Sequence, residues 1–352
     1  MENTKVRSRD ELNGSEHLVS QTVLVTDAGL GSSVSAIRSL SAAGFDVVAA
    51  DTRRRSAGML SRAAGDRFVY PDPHVDVDGF VACVARAVDQ YRVDAILPLT
   101  DACILPLDRN RDRLQSVLAT AGSAQLALAA DKYRTIIDAE RAGAHIPRTR
   151  LVGSVDEAVA VSEELGWPGV VKPRQSARIV RNRVERYSVT LAWSVDDLRR
   201  SVEVLDGRCE VLLQSWLPGR GGGVELLMRR GHPVRAFQHV RLREFPVQGG
   251  PAALSASVPL DPACYQTSVE LLRDWGWDGL AMVEFRHGPI GPFVMEVNGR
   301  AWGSLPLAED CGAGFAVGAV RLALGEEPAR EPEPGTHPTG RRMRNLTNDL
   351  MW

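Results

Sequence analysis

Apolar positions fall into short runs that change period along the chain. Residues 22–26, TVLVT, form a continuous apolar run of strand length. DAGLGSS follows, and Val34, Ile37 and Leu40 then recur at helical spacing until Gly44. FDVVAAD reads as a second strand, and VDAILPLTD, residues 93–101, repeats the strand followed by a polar loop. Strands alternating with helices predict a parallel sheet covered on both faces, within a domain of residues 21–125.

The pattern changes after that. DKYRTIIDAERAG predicts a helix ended by Gly143, and HIPRTRLV a strand. A helix over 154–165, the buried strand PGVVKP, SVTLAW, a helix over 195–205 and EVLLQSW complete an α+β region, residues 126–216. Residues 217–325 are richer in strands: GVELLMRRG, HPVRAFQHVRL, LSASVPL, GLAMVEFR and GPFVMEV, interrupted by a helix over 262–275. The polar residues 1–20 read as a flexible leader. Residues 326–352 read as a tail, with EEPAREPEPGTHPTG as a Pro- and Glu-rich linker.

Charge removes several function classes. The net charge is −2 and the pI about 6.4, with no long basic block, so nucleic acid is not an expected partner. No apolar stretch approaches the ~18 residues of a membrane span, and the leader has no apolar signal core, so a cytoplasmic protein is expected. The five cysteines are far apart and form no zinc pattern. Of 42 basic residues only Lys5, Lys132 and Lys172 are lysines. Where arginine serves as the general cation, a retained lysine points to a site that needs a compact charge with three donors.

The last hairpin carries the strongest chemical pattern. Glu296, Asn298 and Arg300 alternate along FVMEVNGR and share one strand face, about 6.8 Å apart. Around the turn HGPIG, a hairpin centred on Ile290 sets Glu284 opposite Glu296 on that face. Opposed carboxylates repel unless a cation separates them. Mg²⁺ (or Mn²⁺) bridging a triphosphate supplies that charge, and Arg300 suits a bidentate grip on an anion. Lys172 ends an apolar strand, and Lys132 opens a helix whose N-terminus also favours phosphate. In EVLLQSWLPGRGGGVELL the strand breaks at Pro218-Gly219, which exposes backbone groups to a flat ring, and Glu225 follows in the next strand.

Together these segments resemble the ATP-grasp superfamily, in its carbamoyl-phosphate-synthase-like branch of predicted ATP-dependent carboligases. The resemblance rests on VLVTD, PLTDA, DKYRT, VVKPRQS, QSWLPG, RLREFPVQGG, AMVEFR and MEVNGRAWGSLPLAEDCG, over about residues 20–325. It implies an α/β chain with the ATP-grasp fold: an N-terminal parallel-sheet domain, then two α+β subdomains, 126–216 and 217–325, enclosing the nucleotide. It implies ATP and Mg²⁺ as cofactors, with Lys132 and Lys172 at the phosphates and Gln214, Ser215, Trp216 and Leu217 framing adenine. Glu225 would lie at the nucleotide, and Glu284, Glu296 and Asn298 would hold metal. Arg300 would hold the activated carboxylate and, with Lys172, carry the catalytic role. The implied activity joins a small carboxylic acid to an amine through an acyl phosphate, with an amino acid or other small acid as substrate. The partners are then small molecules, and a homodimer is compatible with this.

Two departures stand out. The segment after VVKP, RQSARIVRNRVERYS, has arginines at 174, 178, 181, 183 and 186 where relatives carry a glycine-rich loop. Either these arginines grip phosphate or they recognise an acidic substrate, with Arg178 a candidate. Gly299 stands where proline is commoner and should loosen the backbone. His239, Arg241, Arg243 and Glu244 precede FPVQGGP, a loop expected to border the acceptor pocket, where Arg241 and Arg243 suit a second carboxylate. An alternative is a catalytically silent ATP-binding sensor or accessory subunit. A nicotinamide enzyme built on Gly29-Leu30-Gly31 would need a third glycine where Val34 stands.

Overall fold

The computed structural model describes residues 20–288, 290–327 and 335–352. The leader, apart from its last residue, and residues 328–334 of the expected linker lie outside the described residues. The first domain runs β1 (Thr22–Val25), α1 (Gly31–Ala42), β2 (Asp46–Asp51), β3 (Asp66–Val69), α2 (Val77–Tyr91), β4 (Ala95–Leu97), α3 (Asp101–Arg109) and β5 (Val117–Leu118). Its five strands are all parallel, in the order β3-β2-β1-β4-β5. The order reverses between β1 and β4, which opens a crevice at their carboxyl ends. The Gly29 turn is a tight strand-to-helix connection: its N–H donates to Asp51 Oδ2 at 2.6 Å, so the acid that ends β2 is used within the turn.

Helices α4 (Ser123–Ala130) and α5 (Lys132–Arg141) lead to the second region. It comprises β6 (Thr149–Val152), α6 (Val155–Leu165), β7 (Gly169–Pro173), β8 (Ala177–Val180), β9 (Arg183–Arg186), β10 (Thr190–Ala192), α7 (Val195–Glu203) and β11 (Val211–Ser215). Four strands form an antiparallel sheet, β10-β7-β11-β6, while β8 and β9 form a separate hairpin. The third region runs β12 (Arg220–Arg229), β13 (His232–Glu244), β14 (Ala252–Ser257), α8 (Pro262–Asp274), β15 (Gly279–Gly288), β16 (Gly291–Asn298), α9 (Leu305–Asp310), α10 (Phe315–Ala323), β17 (Arg342–Arg344) and α11 (Leu346–Met351). Its sheet order is β16-β15-β12-β13-β14-β17. The chain end is therefore more than a tail, because β17 pairs with β14 at the sheet edge.

Strand alternation divides this large sheet. Val224, Leu226 and Met228 of β12 and Ala281, Val283 and Phe285 of β15 pack with α8, Trp275 and Trp277 on one face. Leu227, Phe237, Leu280 and Met282 point the other way, onto Trp302, Phe315 and the α1 residues Ile37 and Leu40. Helices α9 and α10 thus join the sheet to the first domain.

The β8–β9 hairpin also bridges regions. Val184 is buried in the core of the first domain, and its N–H donates to Pro73 O at 2.9 Å. Asn182 accepts from the N–H of Val77 through its carbonyl (3.0 Å) and of Asp78 through Oδ1 (2.9 Å). Its Nδ2 donates to Asp76 at 2.9 Å. Asn182→Ala removes the two side-chain bonds, a loss of about 1–3 kcal/mol. Proteolysis around residues 181–183 is expected to speed up several-fold while the main unfolding transition barely moves; cleavage at the wild-type rate would show that the hairpin is held by other contacts.

Candidate functional site

A cavity of about 720 Å³ lies between the three regions. Lys132, Lys172, Gln214, Ser215, Trp216, Leu217, Arg241, Glu284, Glu296, Asn298 and Arg300 all line it. Glu284 pairs with Glu296 across β15 and β16, and Met282 pairs with Asn298. The turn does not centre on Ile290, however. Gly288 pairs with Gly291 and Phe285 with Val294, a register that would carry Glu284 to Met295. A bulge between Glu284 and Phe285 absorbs Met295 as an extra residue and brings the two acids opposite one another.

Protein cations answer the repulsion between those acids. Arg241 grips Glu284 bidentately, at 3.0 and 2.7 Å. Lys132 Nζ lies 2.8 Å from Glu296 Oε2. Burial would push the Glu296 carboxyl up, but Lys132 and Lys172 outweigh it and hold the group at about 2. Lys172, on β7 opposite Leu212, is buried, and desolvation lowers its pKa despite Glu296 nearby. Arg300 donates from Nε to Asp101 Oδ2 at 3.0 Å, across to the first helix turn after β4. Among the described residues the Asn298 amide has no hydrogen-bond partner, and Glu296 Oε1 has none.

At the other end of the cavity, β11 ends at Ser215 and β12 begins at Arg220. The buried Gln214 donates from Nε2 to Thr149 at 2.9 Å, while its Oε1 is buried and unpaired. Trp216 Nε1 donates to Gln248 O at 3.0 Å, which ties the FPVQGGP loop to this strand break. The glycines after Gly219 belong to β12 itself. A side chain on Gly221 would meet Glu244 Oε1 at 2.3 Å, so the bare strand makes room for the Arg241, Glu244 and Arg286 network.

Three expected residues lie elsewhere. Glu225 shares the face of the site but pairs with Met282, two residue pairs beyond Gly223 and Glu284. It is fully buried, bonded to His239 Nδ1, and does not line the cavity. His239 is sealed with it. Arg243 follows a register shift in β13 that turns it outward, to an ion pair with Asp349 at 2.9 Å and the Trp352 ring at 5.0 Å. Arg178 donates to Arg208 O at 2.9 Å outside the cavity. Of the five arginines of its segment only Arg186 lines the cavity, where it has no ion pair among the described residues.

Asp101 and Arg286 line the cavity without having been singled out. Asp101 had a usable signal: an acid at the carboxyl end of a strand beside the sheet's switch point. Gly299 has a packing reason as well. A Cβ there would meet the buried Trp277 ring at 2.7 Å and Leu126 at 3.3 Å, so glycine permits close packing.

The chain has the ATP-grasp fold, shared with the solved structures it aligns with. The chain is 28% identical to the carbamoyl phosphate synthase large chain of Arthrobacter sp. (strain FB24) over 267 residues, 69% of this chain and 23% of that protein. It is 27% identical over the same shares to the corresponding protein of Paenarthrobacter aurescens (strain TC1). The match thus spans about a quarter of those relatives. Among solved structures, N5-carboxyaminoimidazole synthetase from Staphylococcus aureus aligns with a TM-score of 0.69 at 15% identity, over 94% of this chain and 84% of that one. The biotin carboxylase domain of Hydrogenobacter thermophilus 2-oxoglutarate carboxylase, solved with MgADP and bicarbonate, gives 0.68 at 16%, over 92% and 73%. No family profile matches the chain. No helix among the described residues is long and apolar enough to cross a membrane.

Two outcomes follow from the packing and charge. Gly299→Ala is expected to destabilise by about 1–3 kcal/mol through overpacking against Trp277, read from denaturant midpoints; an unchanged midpoint would mean the ring can retreat. Because the folded Glu296 titrates below the ordinary carboxylate value, its contribution is complete above about pH 4.3 and lost as pH falls toward about 2. The stability gap between wild type and Glu296→Gln should therefore shrink over that window; a gap constant from pH 6 to 2 would contradict the ion pairing.

Proposed function

We propose that the chain is an ATP-dependent carboxylate–amine ligase working through an acyl phosphate. The observation that carries this reading is the convergence of Glu284, Glu296, Asn298 and Arg300 with Lys132 and Lys172 in one cleft. The aligned biotin carboxylase domain, solved with MgADP and bicarbonate, supports it. Gln214, with its unpaired oxygen, and Ser215 to Leu217 would face the adenine, and Lys172 and Lys132 the phosphates. Arg300 would orient the substrate carboxylate for attack on the γ-phosphorus. The bond to the β-phosphate oxygen breaks, ADP leaves, and an amine then adds to the acyl carbon. Inorganic phosphate departs with the bonding pair, and the amine gives up a proton. Charge neutralisation and positioning suffice for such a transfer.

The donor set fits a hard divalent cation. Among the described residues no three acids or imidazoles cluster, but two carboxylates and an unpaired amide oxygen share one face. Mg²⁺ or Mn²⁺ bound there would supply positive charge to the phosphate oxygens. Either acid must then yield part of its present pairing, and Glu296, with one oxygen unpaired, is the freer of the two.

A silent nucleotide-binding role has one observation in its favour. The hairpin in the place of the glycine-rich loop has its backbone engaged in its own ladder and with the first domain, so it cannot wrap phosphates in the usual way. ADP release assayed over a panel of amino acids and small acids separates the two readings. Acid-dependent release, lowered at least ~100-fold in Glu296→Gln, supports the ligase; MgATP binding without turnover supports the silent protein.

A further inference from the structure

Beside the carboxylate face the cavity has an end that the phosphates do not need. Helix α3 presents Asp101, Ile104 and Leu105 to it, at i, i+3 and i+4 on one helix face. Helix α4 presents Leu126 and Ala129 in the same spacing. Helix α3 reaches Arg300 directly through Asp101, at 3.0 Å from Nε, and Leu126 of α4 borders the preceding residue, where a methyl built on Gly299 would stand 3.3 Å from its Cδ2. The one ion pair here, Arg300 with Asp101, is only half used. Arg300 engages Asp101 through Nε and Ala301 O through Nη1 at 3.0 Å, which leaves Nη2 without a partner among the described residues. Asp101 Oδ1 has none either, and the Asp101 side chain is 46% exposed. The chain thus offers one free cationic donor and one free anionic acceptor side by side, at the edge of an apolar wall and at the switch point of the first domain's sheet.

We infer that the acid activated by this chain is an apolar α-amino acid, bound as a zwitterion. Its carboxylate meets Arg300, its ammonium meets Asp101, and its side chain lies on Ile104, Leu105, Leu126 and Ala129. A plain fatty acid would leave Asp101 without a counter-charge, and an acidic amino acid would place a second carboxylate on the apolar wall, where nothing neutralises it. The inference rests on the ligase reading for the role of the bound molecule. The recognition itself needs only the two helices and Arg300.

The test is calorimetric titration of the full chain, nucleotide-free and with MgADP, using leucine, glycine, 4-methylpentanoate (leucine without its amino group) and aspartate. Wild type is expected to bind leucine ~10- to 100-fold more tightly than 4-methylpentanoate, the range of a charge-assisted hydrogen bond. Asp101→Asn should collapse that ratio toward one, and Leu105→Asn should weaken leucine and leave glycine unchanged. If Asp101 only positions Arg300, Asp101→Asn weakens both ligands equally, the ratio survives, and the inference is overturned. Equal binding of leucine and 4-methylpentanoate by wild type, preference for aspartate, or no binding of leucine in either state also overturns it. Failure to bind MgADP is a separate result that strikes the ligase reading, since leucine binding is measured without nucleotide as well.

Discussion

Two acids face each other across neighbouring strands, and the organisation of the cleft follows from the cations that make this tolerable. Glu284 is held by Arg241 from β13 and Glu296 by Lys132 from the first turn of α5. Each pairing joins a different element to the β15–β16 hairpin. Removing either cation would leave a buried or half-buried carboxylate against its neighbour, a far larger penalty than a surface pair contributes. The bulge at Met295 belongs to the same constraint, because without it the acids would not share a rung. The glycines of β12 belong to it too, since they clear the floor under Arg241 and Glu244. Charge, register and backbone bulk therefore depend on one another.

These pairings also show how the cleft can accept a polyanion. Lys172 is buried near Glu296, and desolvation pulls its pKa down. A phosphate group placed between Lys172 and Lys132 relieves their mutual repulsion and restores what burial takes away. The cleft is a set of cations paired with acids, so on the function proposed above an incoming triphosphate would exchange partners rather than create new charge. The clasped β8–β9 hairpin completes the enclosure by joining the small sheet to the first domain, in a region where a flexible glycine loop would leave the two unlinked.

Much of this was legible in the sequence, for definite reasons. Alternation along FVMEVNGR put three side chains on one face whatever the wider topology, and the scarcity of lysine singled out Lys132 and Lys172. What escaped depended on registers set by bulges and on depth along a strand. Glu225 has the parity of the site and is level with Met282 and Asn298, but it sits on β12, sealed against His239, and parity alone carries no information about position across the sheet. Arg243 is turned outward by irregular pairing in β13 with a chain end that looked like a tail. Arg178 and Arg186 sit in one basic run, and only the hairpin's docking on the first domain decides which of them meets the cavity. Gly299 was taken for looseness because the Trp277 ring that needs the space comes from a segment whose approach no local pattern reveals.

The two ends of the cavity differ in how they recognise a ligand, and the difference follows from where each is built. The end where the proposed function sets the adenine is made by a strand break and its backbone, with Gln214 and Trp216 tied to neighbouring segments. The far end is made by helices of another domain, so its shape and polarity can vary without disturbing the acid pair. Arg300 is the junction. It lies on the hairpin that carries the acids, yet its Nε is held by Asp101 from α3, so the position of its guanidinium is set jointly by both domains. A change in the first domain that moved α3 by even one hydrogen-bond length would displace that guanidinium relative to the acid pair. On the function proposed above, a single ion pair would therefore couple substrate choice to catalytic alignment.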